Sequence, residues 1–209
     1  MLKLLSKELK LTINPFFYIL PVIMGLLMLI PNWLYMLVFL YFCFITAPNV
    51  LSGCKAQNDL GFSILLPVRK DDIVLARILS FSLVELIHVA TGAVFAAVNI
   101  GLYGRAGLFM TPDIAFFGLV FIMFGLFNLF LFPIFYKTAY KYGAATIVSN
   151  VAAVLFALAM EMLYIFNPSF RGLMTDYRWF VLAGGIIFFI LMNYIAYKIS
   201  AVSFRRVDA

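Results

Sequence analysis

Three ionisable side chains stand inside otherwise apolar runs: Glu85 and His88 in "LVELIHVATG", and Glu161 in "AMEMLY". A carboxylate and an imidazole three residues apart share one face of a helix. Glu85 and His88 can therefore pair with each other, or turn toward an aqueous cavity that attracts cationic parts of a substrate, or pack a dimer. Glu161 lies near the end of its run, where partial hydration suits a structural role. Metal chemistry needs more ligands than one histidine and two thiols, since Cys43 and Cys54 stand about 16 Å apart along a helix. The same spacing excludes a disulfide within the chain, and buried or reduced thiols are expected. There is no HExxH and no paired-carboxylate motif, so no catalytic residue is assigned. Two alternatives to a passive membrane subunit stay open. One is an intramembrane enzyme that processes lipid or peptide. The other is an ion-driven secondary transporter with Glu85 or Glu161 carrying protons, which internal repeats would favour, though none is evident.

A second group of charges gathers where the chain leaves an apolar run. In "LLPVRKDDIVLARIL" (residues 65–79), Arg69, Lys70, Asp71, Asp72 and Arg77 fall within nine residues. Asp71 and Asp72 are placed to start a helix, because carboxylates favour the exposed N–H groups of a first turn. The basic residues hold the junction on the inner side of a membrane and also read simply as topology determinants. Ahead of them, "NDLGFSILLP" (residues 58–67) offers a cap in Asn58 or Asp59, a short apolar segment and a proline stop, the pattern of a short interfacial helix. Its apolar Leu60, Phe62, Ile64 and Leu65 need lipid or another protein to pack against.

The elements that must carry these groups are membrane spans. With 66% hydrophobic and 11% charged residues, the composition lies outside the range of a soluble domain. Apolar runs of about 20 residues, the length a helix needs to cross hydrocarbon, predict six spans at roughly 11–30, 33–52, 78–103, 114–136, 143–166 and 179–199. The fold class is all-α integral membrane, one transmembrane domain over residues 1–209 with a cytoplasmic loop at 53–77. The first run lacks a small-residue cleavage site and does not read as a cleaved signal. With the N-terminus inside, only Arg105, Arg171 and Arg178 of the 15 basic residues fall outside, so both termini are expected in the cytoplasm. Topology then accounts for the net charge of +6, and no nucleic-acid partner is called for.

Local patterns add detail. "MLKLLSKELKLTI" (residues 1–13) places Lys3, Lys7 and Lys10 on one helical face and Leu2, Leu5 and Leu9 on another. This is an amphipathic elbow helix, resting against anionic membrane lipid before the chain turns inward at Asn14-Pro15. Glu8 projects on the leucine side, toward a protein neighbour or solvent. Pro21, Pro48 and Pro133 predict kinks, Thr111 and Pro112 predict the cap and first turn of the fourth span, and "FNPSF" (residues 166–170) ends the fifth. The 24 phenylalanines either pack or line a path, and Gly92, Ala93, Ala96 and Ala97 permit close helix approach.

The stretch "LLPVRKDDIVLARIL" resembles the segment of type-2 ABC exporter permeases in which a charged run follows the intracellular coupling helix and leads into the third transmembrane helix. Six spans, an amphipathic elbow and short outer loops are similar to that family along essentially the whole chain. Within the family, the chain looks like the compact bacterial branch that exports drugs or amphipathic peptides, including phenol-soluble-modulin exporters. The resemblance implies that residues 59–66 form the coupling helix, so that Asp59, Leu60, Phe62, Ile64, Leu65 and Leu66 meet a groove of a separate ABC ATPase while Arg69, Lys70 and Asp71 flank it. It also implies a second permease copy or a paralogue, with a substrate path between the halves for which Glu85, His88 and Glu161 are candidates. ATP and Mg would be held by the partner ATPase, since this chain has no GxxxxGK[ST] run and no cofactor of its own is expected. The expected function is the transmembrane subunit of an exporter in the bacterial cell membrane, moving an amphipathic or hydrophobic peptide, toxin or drug. "SGCKAQND" (residues 52–59) departs from many relatives in carrying few charges ahead of the coupling helix.

Overall fold

The first apolar run does not make one straight helix. In the computed structural model, which describes residues 2–59, 62, 68–104, 107–138 and 141–206, α1 (Leu2–Lys7) runs on as a π-helical stretch over Glu8–Thr12. Asn14 Oδ1 then accepts from the Phe16 amide at 2.9 Å, and α2 (Phe16–Gly25) leaves in a new direction, bent by 69° from the segment before it and tightened to a 3-10 turn over Leu26–Leu29. The bend falls at residues 13–15, at the expected Asn14-Pro15 turn, because proline fits the start of a helix better than its interior; Leu11 and Thr12, counted in the first apolar run, end the segment before it.

The remaining long helices are α3 (Met36–Ala56), α4 (Lys70–Tyr103), α5 (Ile114–Lys137), α6 (Tyr142–Phe166) and α8 (Arg178–Arg205), with the short α7 (Pro168–Asp176) between the last two. All five are long and apolar enough to cross a membrane, and the bent α1–α2 pair makes a sixth candidate. The described residues thus adopt the all-α membrane class expected from composition. Their alternation gathers α1, the ends of α3, α5 and α8 and the starts of α4 and α6 at one end of the bundle, the basic end. The links α2–α3, α4–α5 and α6–α7–α8 lie at the opposite end.

Helix ends differ from the apolar runs in instructive ways. α4 begins at Lys70, well before the run at 78, with Asp71 and Asp72 in its first turn. α5 is capped by Asp113, whose carboxylate accepts from the Phe116 amide at 3.1 Å; Thr111 and Pro112 precede the helix rather than start it. A carboxylate at this place satisfies an orphan N–H and also faces the positive helix end. Asn167 ends α6 and also starts α7, its Oδ1 accepting from Ser169 N at 3.0 Å and Phe170 N at 3.2 Å, with Pro168 at the first position. Pro48 has no N–H to donate, and α3 meets it with a π-helical stretch over Phe42–Thr46, a known device for bending without breaking.

Phenylalanine fills the core. Phe39, Phe42, Phe116, Phe124, Phe127 and Phe132 are fully buried, and the rings meet edge-on, as in Phe42–Phe124 at 5.5 Å and Phe81–Phe132 at 5.3 Å between centroids. A close backbone approach joins α5 to α8: a Cβ on Gly185 would lie 2.1 Å from Gly118 O. Among the small residues of α4, Gly92 faces Phe39 of α3, where a Cβ would meet the ring at 2.6 Å. Beyond the core, the apolar windows of α6 and α8 are only 28% and 17% buried, leaving broad faces for lipid or a partner chain.

Candidate functional site

At the basic end, four charged side chains from three distant segments converge, Arg77, Glu8 and Asp59 buried and Lys7 partly so. Arg77, on the second turn of α4, is 0% exposed, its Nε donating to Glu8 Oε2 and its Nη2 to Glu8 Oε1, both at 3.2 Å. The same guanidinium donates to Asp59, and Lys7 donates to Asp59 and lies 3.4 Å from Glu8 Oε1. Two cations and two carboxylates thus neutralise one another, the condition under which charges can be buried. Burial raises the Asp59 carboxyl, but the Arg77 charge and the Lys7 hydrogen bond outweigh it and hold Asp59 below its ordinary value.

Local structure explains why these residues meet. Asn58 takes a left-handed φ of 49°, which asparagine tolerates, so the chain turns sharply after α3. The π-helical stretch of Glu8–Thr12 follows α1 and leads to the bend that brings Glu8 against α4. The sequence pattern of α1 singles out Glu8 as a misfit on the leucine face, and the structure identifies the neighbour it faces as Arg77. Arg77 itself reads as a topology charge in the sequence; in the structure it is the centre of the network.

The coupling candidates fall partly within the described residues. Asp59 is buried in the network, while Phe62 is 55% exposed with Lys7 Nζ 5.8 Å from its ring centre. Leu60, Ile64, Leu65 and Leu66 lie outside the described residues. Arg69 faces solvent and pairs with Asp72 at 3.6 Å, Lys70 lies over the Phe204 ring at 5.5 Å, and Asp71 accepts from Arg205 at the end of α8, with Nε at 2.8 Å. Asp71 and Arg205 thus tie the start of α4 to the end of α8, a contact with no signal in local sequence.

Inside the bundle, Glu85 and His88 share a face but are not joined by a hydrogen bond or ion pair. Glu85 Oε2 accepts from Asn128 Nδ2 at 2.9 Å, and His88 Nδ1 lies 3.0 Å from Val84 O with its ring against Phe42 at 5.2 Å. Asn128 Nδ2 also donates to Asn193 Oδ1 at 3.1 Å, and Ser82 reaches the same oxygen at 3.4 Å. A polar chain therefore links α4, α5 and α8, while Glu85 Oε1, His88 Nε2 and Asn128 Oδ1 are buried without a hydrogen-bond partner among the described residues. Asn128 and Asn193 carry a sequence signal of their own, each a single amide in an apolar run, "LFNLFLF" and "LMNYI".

Glu161 stands apart from this chain. Its Oε2 accepts from the Met110 amide at 3.2 Å, tying α6 to the link between α4 and α5. Cys43 and Cys54 are buried free thiols. The site is thus a charged clamp at one end and a polar chain in the middle of an apolar bundle.

In comparison with known families, a family model described as ABC-2 family transporter protein matches residues 3–205. No curated protein and no solved structure matches the chain.

Proposed function

The chain belongs to the ABC-2 transporter family, and from that premise we propose that it is the membrane subunit of an ATP-driven exporter that works with a separate ATPase. The observation that carries this reading is the match over residues 3–205, because the whole matched length is given to a permease and the chain has no GxxxxGK[ST] run to bind ATP itself. ATP and Mg are accordingly assigned to the partner. The substrate class is an amphipathic or hydrophobic peptide, toxin or drug, moved outward between two permease copies in the bacterial cell membrane.

In this reading the basic end faces the cytoplasm, α1 is the elbow helix, and residues 59–66 are the coupling helix. The buried clamp supports the assignment mechanically. Asp59 is held to both the elbow and α4, so a push on the segment after it moves two elements at once rather than bending a loose loop. Phe62, exposed beside Lys7, is the anchor offered to the ATPase groove, and Arg69 and Lys70 flank it.

The test is co-purification. Phe62→Ala should leave insertion intact yet weaken retention of the ATPase by about 1–3 kcal/mol, because aromatic anchors dominate small interfaces. Full retention together with normal transport would refute the coupling assignment. Orientation is checked separately: cysteines placed singly at Ser169 and Arg206, both exposed, should react with impermeant reagent from opposite sides of intact cells.

A further inference from the structure

On the outer surface of the bundle, α4 and α8 leave a groove of about 260 Å³ lined by Leu75, Ile78, Leu79, Phe189, Ile190 and Tyr194, with Ser82 and Asn193 as polar groups partway along it. Leu75 is little more than one turn from Lys70 and Asp71, and there a second cavity of about 420 Å³ is lined by Arg69, Lys70, Asp71 and Arg205. Between the two, Lys198 lies over the rings of Tyr194 and Tyr197 at 5.4 and 5.9 Å from their centres. An apolar slot therefore opens at the basic end of the bundle toward a cleft lined by three cations, Arg69, Lys70 and Arg205, with Lys198 on α8 between the slot's tyrosines and Arg205.

The carboxylates beside this cleft are already engaged. Asp71 accepts from Arg205 and Asp72 pairs with Arg69, while Glu8 and Asp59 are buried with Arg77. Among the described residues, the cations Arg69, Lys70, Lys198 and Arg205 outnumber the carboxylates Asp71 and Asp72 at this place. A second copy of this chain is a poor occupant, since its free α6 face begins beside Lys137 and Lys141 and brings more positive charge to the same level. A soluble partner cannot reach a slot walled by the bilayer-facing sides of two spans.

We propose that this groove and cleft together bind one anionic phospholipid from the leaflet at the basic end, with an acyl chain along the slot and the phosphate between Lys198 and Arg69. The chemistry of both parts fits a single amphiphile. The slot, from Lys198 to Phe189, runs about 13 Å along α8 at 1.5 Å per residue, the reach of part of an acyl chain. Tyrosine rings beside a lysine occupy the level where a headgroup meets hydrocarbon, and basic pockets between spans are recurrent headgroup sites.

The full chain, purified in micelles doped equally with phosphatidylglycerol and phosphatidylcholine of the same acyl chains, is examined by native mass spectrometry. One phosphatidylglycerol per chain should be retained in preference. Lys198→Gln and Arg69→Gln should each lower that preference about fivefold, the factor expected for one surface cation near an anionic lipid. Leu79→Trp, and from the opposite wall Ile190→Trp, should fill the slot and remove retention of both lipids; each is surface-exposed, so two independent variants guard against a folding failure. Lys137→Gln, outside the cleft, should change nothing. Equal retention of the two lipids by the unaltered chain would overturn the proposal, as would unchanged retention in both tryptophan variants. Disulfide formation between two copies carrying Ile190→Cys would overturn it as well, by showing that a second chain covers the slot.

Discussion

Arg77 and Glu8 meet across 69 residues of chain, two parallel hydrogen bonds of 3.2 Å joining guanidinium to carboxylate in a site closed to water. Arg77 also serves Asp59, so one cation is shared by two carboxylates. Arg77→Met should therefore be the most damaging change at this end, leaving Glu8 and Asp59 with only Lys7 and lowering stability by about 3–5 kcal/mol. Lys7→Met should lower it less, since Lys7 is the more exposed partner. Thermal melting in detergent orders the two; an equal or reversed ranking would remove Arg77 from the centre of the network.

Acid should loosen the same network in a defined direction. The Asp59 carboxyl is held below its ordinary value, so the folded state binds its proton less readily than the unfolded state. Its contribution is complete above the unfolded value of 3.8 and is lost as pH falls through the lower folded value. The Asp59 share of stability, read as the difference in melting temperature between the unaltered chain and Asp59→Asn, should be steady from about pH 7 to 5 and decline below that. Asp59→Asn should start lower and show a shallower acid decline. An unchanged acid slope in that variant would mean that Asp59 does not set it.

Two adjacent glycines of α8 should behave oppositely. A Cβ at Gly185 would stand 2.1 Å from Gly118 O, a backbone atom that no rotamer change can move, whereas a Cβ at Gly184 meets nothing within 4 Å. Gly185→Ala should destabilise by about 1–3 kcal/mol or more through forced separation of α5 and α8. Gly184→Ala should be neutral or stabilising by up to about 1 kcal/mol, as expected for alanine in a helix. Melting curves of the two variants decide the matter.

The polar chain ranks its own members. Asn128 donates to both Glu85 and Asn193, so Asn128→Ala should lose about 1–3 kcal/mol by leaving buried partners unpaired. Ser82→Ala removes only a 3.4 Å contact and should fall within about 0.5 kcal/mol of the unaltered chain. Similar losses in both variants would show that Asn128 is not the hub.

The spans were legible because hydrocarbon demands long apolar runs, and that demand is written locally. Helix ends were partly so: hydropathy alone leaves residues 70–77 in a loop, but the Asp71-Asp72 pair marks a helix start, and α4 begins at Lys70 with both in its first turn. The Asn167-Pro168 pair reads as a stop and is also the start of α7, two roles one signal cannot separate. In the site, Glu8 is visible as a misfit, yet its partner lies 69 residues away and nothing local points to it. Glu85 and His88 share a face as their spacing requires, but Asn128 on another helix takes the Glu85 carboxylate. Periodicity reports a face; it does not report what covers that face.

The bond between Asn128 and Asn193 spans 65 residues, so on a ribosome adding about 5–20 residues per second the first amide is made several seconds before the second. During that interval α5 must wait in or beside the translocon with one polar partner from α4 and an open glycine face. The order of synthesis thus makes the contact between α5 and α8 the later of the two that Asn128 forms, and until α8 arrives that amide holds one of its two side-chain partners.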